Sequence, residues 1–200
     1  MPKSPDIQIQ PQSGMIDDPL SIKIDGLETD SNITIRCETV DESGLSWLYT
    51  GKYRADRSGI VNIADAASIT LLMRPAGYGK HDLVPGFLKR SIEPLKFEFS
   101  VEANGGILER AVFYRCLISD GNIFRQQVSE DGLVGALFYP KDEGPHPVII
   151  VLGGTDGGLS EARGSFPASH GYAVLSLAYF GIDPLPKSLA EIPLEYLEKA

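Results

Sequence analysis

Pro147-Val148-Ile149-Ile150-Val151-Leu152-Gly153-Gly154-Thr155-Asp156-Gly157-Gly158 is the stretch that decides how the second half of this chain folds. A proline opens it, a continuous run of branched apolar residues follows, and glycines stop it. Such a run predicts a strand buried on both faces within a parallel sheet. The glycines let the backbone turn tightly with N–H groups pointing outward, and Leu159-Ser160-Glu161-Ala162-Arg163 starts a helix. Strand, glycine loop and helix form a unit suited to holding an anion or a developing negative charge.

Downstream, the helix ends near His170-Gly171, with Gly171 as its C-terminal stop. Tyr172 to Tyr179 reads as a second buried strand and Phe180 to Pro186 as a loop. Pro193 opens another helix as its first residue, and that helix is expected to be cut at Ala200. Upstream, Asp120-Gly121 and Asp131-Gly132 suit positive-φ hairpin turns, and Leu133 to Pro140 is a strand. Strand, strand, helix, strand, helix is the opening of an α/β-hydrolase sheet. Such hydrolases carry their nucleophile on a later G-x-S-x-G elbow, and none occurs here. The nearest mimic is Gly158-Leu159-Ser160-Glu161-Ala162. His170, the histidine downstream of Ser160, lies about ten residues further along the same helix, or ~15 Å at 1.5 Å per residue. Hydrogen-bond reach is ~3 Å, so the two cannot act together and Ser160 reads as a helix-start residue.

The first half has a different texture. Residues 1–14 form a polar lead-in in which Ile7-Gln8-Ile9 alternates enough for one edge strand. Residues 15–128 then run as short alternating segments, among them Leu20–Ile24, Ile33–Cys37, Leu45–Thr50, Leu95–Val101 and Leu108–Cys116. Period-two alternation broken by regular turns predicts an Ig-like antiparallel β-sandwich. Cys37, Trp47 and Cys116 echo the immunoglobulin pattern, with Tyr114 two residues before the second cysteine as in a tyrosine corner. Without a secretory signal these read instead as reduced, buried core residues. Between Asp65 and Arg90 the pattern weakens. Leu71 to Pro75 is a short helix or strand. Phe87-Leu88-Lys89-Arg90 reads first as a solvated edge, and second as a basic contact at a domain boundary.

The 200 residues carry a net charge of −9 at pH 7, which argues against nucleic acid and anionic membrane surfaces as partners. The 2 cysteines are too few for a disulfide framework. No apolar stretch approaches transmembrane length and the start is polar, so a cytoplasmic protein is expected.

Several stretches, taken in their order and spacing, resemble the type I acyl-CoA thioesterases and the bile acid-CoA:amino acid N-acyltransferases. They are Tyr53-Arg54-Ala55-Asp56 with Gly59, Leu88-Lys89-Arg90, Gly144 through Arg163, Gly171 to Tyr179, Asp183 to Lys187, and Leu194 to Ala200. The resemblance implies a β-sandwich over residues 15–128 joined to the incomplete N-terminal part of an α/β-hydrolase domain over 129–200. It implies an acyl-CoA substrate, no cofactor and no metal. The family's serine or cysteine nucleophile, its aspartate and its histidine correspond to positions beyond Ala200, so no triad residue is carried over.

What the resemblance does carry over is an oxyanion-hole loop, Gly153, Gly154, Thr155, Asp156, Gly157 and Gly158, with the N–H of Gly154 or Thr155 as donor. Asp156 stands where the family tends to have glycine, and its side chain reads as a helix cap. The implied activity is hydrolysis of fatty acyl-CoA, with transfer of the acyl group to an amino acid as the sibling reaction. A non-catalytic Ig-like binding module and a different hydrolase sharing only the sheet are the competing readings. A truncated sheet would also leave an apolar edge open to self-association.

Overall fold

In the computed structural model, which describes residues 4–79, 81–119 and 121–200, Ile33, Ile35, Cys37 and Thr39 are buried along strand β4 (Asn32–Val40) while Arg36 between them is exposed. Strand β8 (Leu95–Ala103) repeats this with Phe97, Phe99 and Val101 inward and Lys96 and Glu98 outward. The two pair antiparallel, Cys37 opposite Phe99. Around them lie β2 (Ser13–Met15), β5 (Ser46–Arg54), β7 (Arg74–Pro75) and β9 (Gly106–Cys116), in the order β2-β9-β8-β4-β5-β7. A second sheet, β1 (Asp6–Gln10), β3 (Ser21–Asp25) and β6 (Val61–Ile63), sends Ile9, Ile22, Ile24 and Val61 into the same core. Two sheets over one apolar core are what the alternation predicts, each fully buried aliphatic or aromatic side chain contributing ~1.5–3 kcal/mol. β1 is an edge strand, as Ile7-Gln8-Ile9 suggested. In the less regular stretch helix α1 (Ala67–Leu71) ends where the expected element begins, and within Leu71 to Pro75 the strand alternative is the one found, at β7.

The chain divides into two units, Met1–Leu88 with Pro94–Cys116, and Lys89–Glu93 with Leu117–Ala200. Both sheets above belong to the first. Within it the immunoglobulin echo is only partly kept. Cys37 and Cys116 are free thiols, and burial pushes Cys37 up to about 12. Cys116 is half-buried, its Sγ 3.8 Å from Ser13 Oγ. Tyr114 is 40% exposed, which corrects the tyrosine-corner reading. Phe113 and Arg115 take the inward positions of β9, so the residue between them must face out. The buried Arg115 guanidinium donates to the carbonyls of Ile16 and Asp18, fastening the chain just after β2.

A second fixed point is Asp41, 5% exposed at the β4–β5 turn. Its Oδ1 accepts from Ser43 N (2.9 Å), Ser43 Oγ (2.6 Å) and Leu45 N (3.1 Å). Its Oδ2 accepts from Trp47 Nε1 (3.1 Å) and Leu88 N (3.2 Å).

The second unit is a four-stranded sheet of β10 (Ile123–Val128), β11 (Val134–Pro140), β12 (Val148–Leu152) and β13 (Ala173–Ala178), in the order β10-β11-β13-β12. Only β12 and β13 run parallel; β10–β11 and β11–β13 are antiparallel. β13 is central, and Val174 to Ala178 are all buried, as expected for the second apolar run. β12 corrects the first expectation. It lies at the sheet edge, with Val148 74%, Ile150 47% and Leu152 38% exposed. A continuous apolar run reports what its two faces could bury, not whether a neighbour exists to cover each.

Ile149 and Val151 pack with Phe138, Val174 and Ala168 on the face covered by helix α2 (Glu161–Ala168). There a Cβ on Gly164 would fall 2.1 Å from Ser176 Oγ, so helix and sheet approach as closely as they do only with glycine at that position. Asp131 (φ 53°) and Gly132 (φ 79°) form the positive-φ turn expected between β10 and β11. Gly121 also has positive φ (76°), while Asp120 of the other anticipated turn lies outside the described residues. Helix α3 (Leu194–Glu198) follows Pro193 and brings Tyr196 Oη to donate to Ala178 O at 2.6 Å. Among the described residues no helix is long and apolar enough to cross a membrane.

Candidate functional site

β12 delivers the chain to the sheet's end, and the glycines that follow fold back on themselves. Gly157 N donates to Gly154 O at 3.1 Å and Gly158 N to Phe180 O at 2.8 Å, joining this loop to the one that leaves β13. The approach is close. A Cβ on Gly157 would meet the Phe180 ring at 2.8 Å, and one on Gly181 would meet Gly158 N at 3.1 Å. Gly157 (φ 62°) and Gly158 (φ 74°) also adopt a backbone that L side chains rarely take. Tyr179 Oη donates to Gly153 O at 3.3 Å. The run of glycines is thus a packing requirement as well as a turn.

These bonds consume the N–H groups of Gly157 and Gly158, and Asp156 N bonds its own carboxylate. Among the described residues the N–H groups of Gly154 and Thr155 have no acceptor. Two adjacent donors at a strand end, on an exposed turn, can take an oxygen that carries or acquires negative charge.

Arg90 is the residue the sequence reading undervalued. Its guanidinium donates to Asp156 Oδ2 at 2.7 Å and Asp156 O at 3.3 Å, and its carbonyl accepts from Ala162 N at 2.8 Å. One residue therefore holds the glycine loop and the first turn of α2 together. The Arg90 hydrogen bond, aided by that from Asp156's own amide, holds the Asp156 carboxyl below the usual carboxylate range. This corrects two expectations. Arg90 is not merely a solvated edge, and Asp156 is not a helix cap, because it is engaged by a cation 66 positions away.

Ser160 occupies the cap position of α2 (φ −115°, ψ 90°), in keeping with its reading as a helix-start residue. Its side chain makes no capping bond, and its Oγ is buried without a partner among the described residues. His170 Nδ1 lies 2.9 Å from Phe166 O and its ring packs 4.8 Å from that of Phe166, so it serves the far end of the helix. The fold does not bring Ser160 and His170 together. Glu161, in the first turn of α2, forms a forked pair with Arg125 at 2.6 and 2.7 Å, which fixes the helix to β10. No group of three or more His, Cys, Asp or Glu side chains able to hold a metal ion occurs among the described residues.

Residues 17–70 match the family described as "Acyl-CoA thioester hydrolase/BAAT N-terminal region". That match lies in the N-terminal part of the chain. It is 36% identical over 197 residues to acyl-coenzyme A thioesterase 2, mitochondrial, of Mus musculus, covering 92% of this chain and 43% of that protein. Acyl-coenzyme A thioesterase 1 of Rattus norvegicus is likewise 36% identical over 197 residues, with 92% and 47% covered. Acyl-coenzyme A amino acid N-acyltransferase 1 of Mus musculus is 31% identical over 208 residues, with 95% and 50% covered. The chain spans about half the length of the relatives it matches. The matched stretch, 17–70, contains Asp41 and its partner Trp47 as well as Gly59, so the turn that Asp41 organises lies inside it.

Proposed function

We propose that this chain supplies the N-terminal β-sandwich and the first part of the α/β-hydrolase domain of an enzyme that hydrolyses fatty acyl-CoA to free acid and coenzyme A. The observation that carries this reading is the pair of N–H groups of Gly154 and Thr155 at the end of β12, which have no acceptor among the described residues. In the proposed reaction a serine from outside these 200 residues attacks the thioester carbonyl while a histidine takes its proton. The oxyanion is held by the two N–H groups, the C–S bond breaks to release the thiol, and water then frees the acid. An oxyanion donor of this kind contributes ~10²–10³ in rate. Water is the favoured acceptor because the 36%-identical relatives are named as thioesterases. The 31%-identical relative named as an N-acyltransferase supports an amino acid acceptor as the second reading.

The chain alone is expected to release no thiol from palmitoyl-CoA, since Ser160 and His170 are apart. Turnover that disappears in Ser160→Ala would overturn the assignment. In a chimera completed with the C-terminal half of the mouse thioesterase, Thr155→Pro removes one donor and should lower kcat by ~10² or more with little change in KM.

The uncovered side of β12 supports the further proposal that this chain self-associates through Val148 and Ile150. Sedimentation velocity is expected to show concentration-dependent dimers that Ile150→Lys abolishes. A monomer at every concentration would count against it.

A further inference from the structure

We infer that the first unit carries a binding site for an uncharged hydrocarbon ligand, an alkyl chain without an anionic head. The site is a cavity of about 560 Å³ opening beside α1, within the ~300–1,000 Å³ of typical small-molecule pockets. Its floor is built from buried side chains, Trp47, Phe97 and Thr39. At its mouth Leu71 and Phe87 stand 86% and 37% exposed, and the Phe87 ring lies 5.3 Å from that of Trp47.

The hydrogen-bond inventory selects the ligand class. Among the described residues every donor carried by a side chain of the lining is already spent inside the protein. Trp47 Nε1 donates to Asp41 Oδ2 (3.1 Å), Thr39 Oγ1 to Lys96 O (2.8 Å) and Thr70 Oγ1 to Ala67 O (2.8 Å). The remaining polar lining side chain, Asp17, is a carboxylate and offers no donor. A carboxylate or phosphate head would find no spare side-chain donor among the described lining residues, in a chain of net charge −9. Water fares poorly too, since an apolar wall gives it too few partners. A hydrocarbon chain loses nothing there and covers Leu71 and Phe87. The described lining residues all belong to the first unit and the glycine loop to the second, so this proposal does not rest on the chemistry proposed for that loop.

Trp47 is the chain's 1 tryptophan, so its emission reports on the cavity floor alone. The test titrates the intact chain with bromododecanol and with bromododecanoate, whose bromine quenches indole emission on contact. Saturable quenching by the alcohol is expected, with affinity for the carboxylate weaker by about tenfold or more. Ala67→Phe and Thr70→Phe fill the cavity from α1 and should abolish the quenching while circular dichroism shows them folded. If both variants unfold, competition decides. Unbrominated dodecanol must restore the emission for the site to stand, and failure to restore it overturns the proposal. Absence of saturation in the native chain, or equal affinity for the carboxylate, overturns it as well. A dimer that Ala67→Phe dissociates would make a second copy of the chain the occupant and likewise overturn it.

Discussion

Asp41→Ala is expected to lower the stability of the first unit by ~4 kcal/mol, because it orphans several buried donors at once at ~1–3 kcal/mol each, less than additively. The carboxylate joins the β4–β5 turn to Trp47 and to Leu88, beside the backbone hydrogen bond from Glu42 N to Leu88 O at 3.1 Å. Urea denaturation followed by Trp47 emission measures the loss. Asp41→Asn keeps one acceptor and should lose about half as much. Burial by itself would raise this carboxyl, yet the hydrogen bonds from Ser43, Leu88, Trp47 and Leu45 outweigh it and bring it down to about 2. The sign follows. A folded value below the unfolded ~3.9 stabilises the fold fully above that value, and the contribution fades as pH falls through about 2. The native chain should therefore lose stability between pH 4 and 2 more steeply than Asp41→Ala does. Parallel pH profiles would contradict the role given to this residue.

Gly59→Ala is the second large effect, ~3 kcal/mol. Gly59 has φ 73°, and a Cβ there would fall 2.2 Å from Leu27 O. The backbone cannot yield, because Leu27 N donates to Gly59 O at 3.1 Å and Gly59 N to Asp56 O at 3.0 Å. The left-handed backbone costs an L residue ~1–2 kcal/mol and the forced contact adds ~1–3 kcal/mol. Gly44→Ala supplies the control. It has φ 85° and nothing within 4 Å of its Cβ position, so it should lose only ~1 kcal/mol. Equal losses from the two substitutions in chemical denaturation would show that the Leu27 carbonyl is not the obstacle.

The sandwich was legible because its signal is local. Ile33, Ile35 and Cys37 alternate with Thr34 and Arg36, and such spacing leaves little choice of structure or of face. The glycine loop was legible as a turn for the same reason, since Gly157 and Gly158 stand where positive φ is needed. What escaped was tertiary. Nothing near Val148 in the sequence says that β12 would lie at an edge, because its cover would come from another strand. Arg90 and Asp156 each look like ordinary surface charges, and only the fold sets them 2.7 Å apart. Asp41 in Asp41-Glu42-Ser43-Gly44 is recognisable as a turn residue through its bonds to Ser43 and Leu45. Its grip on Trp47 and Leu88 is not.

The parallel pairing of β2 with β9 sets Ser13 beside Tyr114 and Met15 beside Cys116, with Arg115 gripping the carbonyls of Ile16 and Asp18. Sheet neighbours so far apart along the chain must wait for a long loop to close, the kind of contact that slows folding. On the ribosome Ser13 to Met15 are thus made long before the strand they pair with. The first unit can complete its larger sheet only after Cys116 has left the exit tunnel, and until then the freshly made β9 flank of that sheet is what a chaperone would meet.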